Sequence, residues 1–161
     1  MIEDDYEQVL KVIIDCLKRK RTIFIAGNGG SSSQASHFSA ELIGKGLRCI
    51  AFNDPVVITA LSNDLGYDHV FSSYLIALGQ EGDVFIGVST SGRSQNIFNA
   101  ITTARNFKIK SILLVGRKDS PCGNVADLSL FSFSDNTQIS QEDHLSILHR
   151  LYLDVQSYCS K

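Results

Sequence analysis

Three groups of residues in this 161-residue chain have types and spacings suited to chemistry. The first is the loop Gly27-Asn28-Gly29-Gly30-Ser31-Ser32-Ser33. Its glycines allow the backbone N–H groups to come close to a ligand, and its serine hydroxyls add donors. The second is Ser89-Thr90-Ser91-Gly92-Arg93-Ser94, with four hydroxyls within six residues. Each loop follows an apolar run and precedes a helix-length segment, so each would place hydroxyls and first-turn amides where an anion is stabilised. A phosphate group is the expected ligand. The third group is dispersed: His37 and Glu41, four apart, and Gln141 and His149, eight apart. On a helix, His37 and Glu41 share one face, while Gln141 and His149 are separated by about 80° around the axis and can address one neighbour.

Competing readings of these groups differ in strength. The first loop is no Walker A loop, because no Gly-Lys-Ser/Thr follows it. It also departs from the dinucleotide fingerprint, since Ser32 stands where a third glycine belongs. Either loop alone could be an ordinary strand-to-helix turn with a serine cap; two at equivalent places favour phosphate binding. For His37 and His149, spacing alone favours satisfied, half-buried polar residues, with a metal or acid–base cluster as the second reading.

The elements that must position these residues follow from hydrophobic pattern. Val9, Leu10, Val12, Ile13, Ile14 and Leu17 recur at helical spacing and predict a helix over 5–20. Short runs rich in β-branched and aromatic residues predict strands at 22–26, 48–52, 83–88, 111–115 and 128–132. Helix-length segments lie between them, at 32–45, 55–62, 67–79 and 93–106, with a long last helix over about 138–159. Strands alternating with helices in this way indicate an α/β fold, a five-stranded parallel sheet flanked by helices on both faces. The doubly wound, flavodoxin-like arrangement binds ligands beyond the carboxyl ends of its strands, where both loops fall. One domain is expected to span 1–161, and Asn53-Asp54-Pro55 reads as a cap or turn within it.

Composition narrows the function. A hydrophobic share of 43% with 20% charged residues suits a globular core. The net charge of −2 provides no basic field for nucleic acid, and the run Lys18-Arg19-Lys20-Arg21 is read as the end of a helix, complementing its dipole. Cys16, Cys49, Cys122 and Cys159 form no CxxC pair, which excludes zinc knuckles and thioredoxin-like motifs. The acidic start Met1-Ile2-Glu3-Asp4-Asp5 is unlike a signal peptide, and no apolar stretch approaches the ~20 residues of a membrane span. A cytoplasmic protein is expected.

Several strings together carry a resemblance: Gly27-Asn28-Gly29-Gly30-Ser31, His37-Phe38-Ser39-Ala40-Glu41-Leu42, Ala60-Leu61-Ser62-Asn63-Asp64-Leu65-Gly66, Gly82 through Gly92, and Gln141-Glu142-Asp143-His144. In this order, and over nearly the whole chain, they resemble the sugar isomerase (SIS) domain of bacterial phosphoheptose isomerases. The resemblance implies a cytoplasmic homotetramer with a site shared between subunits. It implies zinc-assisted conversion of sedoheptulose 7-phosphate to D-glycero-D-manno-heptose 7-phosphate through an enediol, on the way to lipopolysaccharide or capsule heptose. Carried over by residue, it implies that Ser89, Thr90, Ser91 and Ser94 bind phosphate. Asn28, Gly29, Gly30, Asn63 and Asp64 would line the sugar. His37, Glu41, Gln141 and His149 would be the zinc ligands; Glu41 and Gln141 would also touch substrate, and Glu41 and His149 would transfer protons. Three departures stand out. The family usually has a further N-terminal helix between subunits, an acidic or small polar residue followed by Arg-Ile ahead of the position of Gln141, and arginine at the position of Lys45. A non-catalytic relative that binds the replication initiator DnaA resembles this pattern too, but it lacks a histidine at the position of His149. A sugar-phosphate sensor and an isomerase of another sugar phosphate are the remaining alternatives.

Overall fold

The computed structural model describes residues 3–117, 119–132, 134 and 136–159; the two ends of the expected 1–161 span fall outside these. Helix α1 (Glu3–Lys18) leads into β1 (Ile23–Gly27), α2 (Gly30–Ile43), β2 (Cys49–Ala51) and α3 (Pro55–Leu65). A 3-10 turn (Tyr67–His69) joins α3 to α4 (Val70–Leu78), followed by β3 (Val84–Ser89), α5 (Gln95–Asn106), β4 (Lys110–Val115), β5 (Leu128–Phe131) and α6 (Thr137–Cys159). The five strands are parallel, in the order β2-β1-β3-β4-β5.

Every residue of β1 and β3 is buried, as strands covered on both faces must be. Successive side chains alternate between two cores. Ile23 and Ile25 of β1 join Val84, Ile86 and Val88 of β3 under α1, α2 and α6. Phe24 and Ala26 face the other way with Phe85, against Val70, Phe71 and Leu75 of α4 and Ile97, Ala100, Ile101 and Ala104 of α5.

The winding reverses between β1 and β3. From β1 the chain crosses to β2 on one side, and from β3 to β4 on the other. The two connections diverge there and leave a crevice above the carboxyl ends of the central strands. Both hydroxyl-rich loops emerge at that point.

Boundaries differ from the pattern-based ones where local chemistry outweighs it. Helix α2 begins inside the glycine-rich loop, at Gly30. Helix α3 starts with Asp54 accepting from the Val56 and Val57 backbone N–H groups and Pro55 in its first turn. It runs on through Asn63 and Asp64 until Gly66, whose φ of 87° no helix continues. Of the basic run only Lys18 is helical; Lys20 adopts a positive φ of 56° beyond the helix end.

Candidate active site

The first feature of the site is a cleft of ≈ 310 Å³ at the switch point, lined by Asn28, Gly29, Gly30, Ser31, Val88, Ser89, Thr90, Ser91, Ser94, Thr137 and Gln141. Helices α2, α5 and α6 all begin at or beside it. Its walls hold six hydroxyl side chains, those of Ser31, Ser89, Thr90, Ser91, Ser94 and Thr137, but no lysine or arginine. Neutral donors and helix N-termini together favour an anion there.

The second loop is braced from within. Ser89 is buried; its Oγ accepts from the Gly92 N–H at 3.2 Å and lies 3.1 Å from the Ser94 Oγ. Ser91 Oγ accepts from the Arg93 N–H at 3.2 Å, and the Gly116 N–H donates to the Thr90 carbonyl at 3.0 Å. Gly92 holds a φ of 63°, and a Cβ there would lie 2.3 Å from the Ser120 Oγ. Ser89 therefore shapes the turn, leaving Thr90, Ser91 and Ser94 as its more accessible hydroxyls.

The second feature lies farther along α2. His37 follows Gly30 by seven residues, about 10 Å of helix axis, and helical side chains tilt back toward the N-terminus. Its Nε2 is 3.1 Å from the His149 Nε2 on α6 and 3.7 Å from the Glu41 Oε1. The ligand atoms of His37, Glu41 and His149 all lie within 4.8 Å of one another. Glu41 Oε2 is buried and has no hydrogen-bond partner. Residues 112 apart in sequence thus meet across the α2–α6 contact.

These donors fit a divalent cation such as zinc. Tetrahedral zinc with bonds of about 2.0–2.2 Å holds neighbouring ligand atoms roughly 3.3–3.5 Å apart, between the two distances seen here. An unpaired buried carboxylate oxygen among imidazoles is a group in want of a cation. Gln141 reaches the same side of α2 from α6. Its amide nitrogen and oxygen would each lie 2.7 Å from a Cβ on Gly30, and it lines the cleft. The side chain of Gln34 donates to the backbone carbonyl of Gln141 and ties α6 to α2 beside it.

Asn63 and Asp64 are exposed near the end of α3, where the Asn63 Nδ2 donates to the Asp64 Oδ1 at 2.9 Å. Among the described residues no hydrogen bond joins either of them to the cleft. The chain approaches the cleft from that side through Tyr67, whose hydroxyl donates to the Asn28 Oδ1 at 2.7 Å. Tyr67, Asn96 and Thr137 were not singled out by motif: a tyrosine after a helix-ending glycine, an asparagine inside a helix and a threonine starting one carry no local signal of a site. The cysteines take no part. Burial raises the Cys16 and Cys49 thiols to about 12 and the Cys122 thiol to about 11, leaving them protonated.

A profile of the SIS domain family matches residues 2–116. The phosphoheptose isomerase of Helicobacter pylori is 38% identical over 157 residues, covering 93% of this chain and 82% of the relative. That of Sulfurimonas denitrificans is 41% identical over 150 residues, covering 89% and 77%. The chain belongs to the phosphoheptose isomerase family. Phosphoheptose isomerase from Neisseria gonorrhoeae has the same fold at a TM-score of 0.93 and 35% identity, over 96% of this chain and 86% of that one. The fit to phosphoheptose isomerases thus extends across both halves of the site, from the loop after β1 to α6.

Proposed function

We propose that this chain isomerises sedoheptulose 7-phosphate to D-glycero-D-manno-heptose 7-phosphate. The observation that carries the reading is the meeting of Glu41 and His149 farther along α2 from a hydroxyl-lined cleft whose walls hold no lysine or arginine. A sugar with phosphate at one end and its reacting carbons at the other suits a phosphate cleft and an acid–base pair set apart along one helix.

In this reading Thr90, Ser91 and Ser94 donate to the phosphate, with Ser89 holding their loop. Asn28, the Gly29 and Gly30 backbone and Gln141 face the sugar chain. Isomerisation removes a proton from C1 of the ketose, passes through an enediol and returns a proton to C2, while the hydroxyl proton on O1 is lost and one on O2 gained. Glu41 acts as base at C1 and His149 as acid at C2. Each has an atom to spare for this: Glu41 keeps Oε2 when Oε1 faces His37, and His149 keeps Nδ1 when Nε2 does. His37, Glu41 and His149 would hold zinc, which when bound polarises the carbonyl and stabilises enediolate charge. Gln141, at the wall of the cleft, orients substrate.

Assembly as a homotetramer is part of the proposal. Helix α3 is apolar yet buries no residue, and Val56 and Leu65 on it are 74% and 54% exposed. A second copy covering this face would bring an environment to Asn63 and Asp64 that one subunit does not supply. No helix among the described residues is long and apolar enough to cross a membrane. Its cysteines are unpaired, and in this reading the chain works in the cytoplasm, where the product would enter heptose synthesis for lipopolysaccharide or capsule.

Proton NMR of sedoheptulose 7-phosphate with the purified protein tests the proposal. Aldose signals should appear, and a chelator should slow them. Binding without turnover would instead favour a sugar-phosphate sensor, and turnover of a shorter sugar phosphate alone would favour a different isomerase.

A further inference from the structure

Asn28 lines the cleft, but two residues outside that lining decide which way its amide points. Asn96, in the first turn of α5, is 2% exposed. Its Oδ1 accepts from the Ile97 backbone N–H at 2.9 Å, one of the amides that a helix leaves unpaired at its start. This bond assigns the oxygen end of the Asn96 amide. Asn28 meets that amide reciprocally. Asn28 Nδ2 donates to Asn96 Oδ1 at 3.0 Å, and Asn96 Nδ2 donates to Asn28 Oδ1 at 3.0 Å. The Tyr67 hydroxyl adds a second bond to Asn28 Oδ1 at 2.7 Å.

An amide oxygen has two lone pairs and an amide nitrogen two hydrogens. Both lone pairs of Asn28 and one of its hydrogens are therefore used. One N–H remains, on a side chain at the wall of the cleft.

We infer that Asn96 and Tyr67 are positioning residues that lock Asn28 as a single-donor contact for an oxygen of the sugar chain. Together they select for a hydroxylated chain, while the serine loop selects for phosphate. The inference rests on the cleft being a sugar-phosphate site. Tyr67 is half exposed, so its hydroxyl can be removed without opening the core. A phenylalanine there frees one lone pair of Asn28 and loosens the amide about its reciprocal pair.

Calorimetric titration tests this with two probes: the heptitol 7-phosphate made by reducing the ketose, which cannot be isomerised, and inorganic phosphate. Tyr67→Phe should weaken heptitol phosphate about 3- to 10-fold, the range of one ordinary hydrogen bond, and leave inorganic phosphate unchanged. In an Asn28→Ala background the same substitution should add nothing, because Tyr67 acts through Asn28. Asn96→Ala should act in the same direction, and if that buried change prevents folding, the Tyr67 and Asn28 variants carry the test. Equal weakening of both probes, unchanged heptitol phosphate affinity, or an undiminished effect without Asn28 would overturn the inference. So would a wild-type protein that binds heptitol phosphate no better than inorganic phosphate. Wild-type protein that binds heptitol phosphate but leaves the ketose unchanged contradicts the catalytic reading alone.

Discussion

Gly27 and Gly30 are three residues apart, and the structure uses them differently. A Cβ on Gly27 would lie 2.7 Å from the backbone carbon of Ser31, which cannot move without shifting the start of α2. A Cβ on Gly30 would first meet the end of the Gln141 side chain, which can swing away. Gly30 already has helical conformation, where alanine is favoured by up to about 1 kcal/mol. Gly30→Ala should therefore hold or raise the melting temperature while raising KM for the sugar phosphate about 3- to 10-fold, the cost of displacing one polar contact. A fall in melting temperature with KM unchanged would contradict the placement of Gln141. At this scale the sequence was legible where residue types cluster, as in the two loops. It was silent where a side chain matters through a distant partner. Ser89 reads like its neighbours Thr90 and Ser91, yet its burial turns it to bracing the loop. Tyr67 and Asn96 acquire a role only because the fold brings the segments on either side of α4 and β3 to Asn28.

Among the elements, α6 carries the most information. Its buried residues, Ser140, His144, Ile147, Leu148, Leu151 and Val155, recur at helical spacing and face the sheet. His144 thus lies on the core side, while His149 turns toward α2. Helical arithmetic from the sequence separates the two by about 140°, and the helix observed agrees with it. The sequence did not reveal that His144 is fully buried, its ring nitrogens making no hydrogen bond of ordinary geometry. Burial lowers its pKa, against smaller opposing effects of the Val115 backbone and Asp143. The unfolded chain then binds this proton more readily, so His144 costs stability as pH falls below about 6.5, the ordinary histidine value. Melting temperature should decline between about pH 7 and pH 5.5 more steeply in the wild type than in His144→Gln, since only the former carries this group. Parallel curves would show that His144 does not titrate differently on folding. Helix α3 illustrates a different gap: Asn63-Asp64 looks like a break in the pattern, but the helix persists to the positive φ of Gly66.

For the molecule as a whole, alternation of apolar strands and helices was enough to expect a parallel sheet with its ligand at the carboxyl edge. Strand order was not readable in the same way, because each strand is apolar on both faces and carries no mark of its neighbour. The order observed matters because it sets the loops after β1 and β3 side by side and lays α6 along α2. That packing brings Glu41 and His149 together across most of the chain length, a contact that no spacing rule reaches. The central claim is that this pair moves protons between adjacent carbons. Isomerisation in deuterium oxide, followed by NMR, tests it most directly. Wild-type protein should place solvent deuterium at C2 of the aldose formed from sedoheptulose 7-phosphate, and Glu41→Gln and His149→Asn should each lower that rate by about 10²- to 10⁴-fold. Near-wild-type exchange in either variant would contradict the assignment.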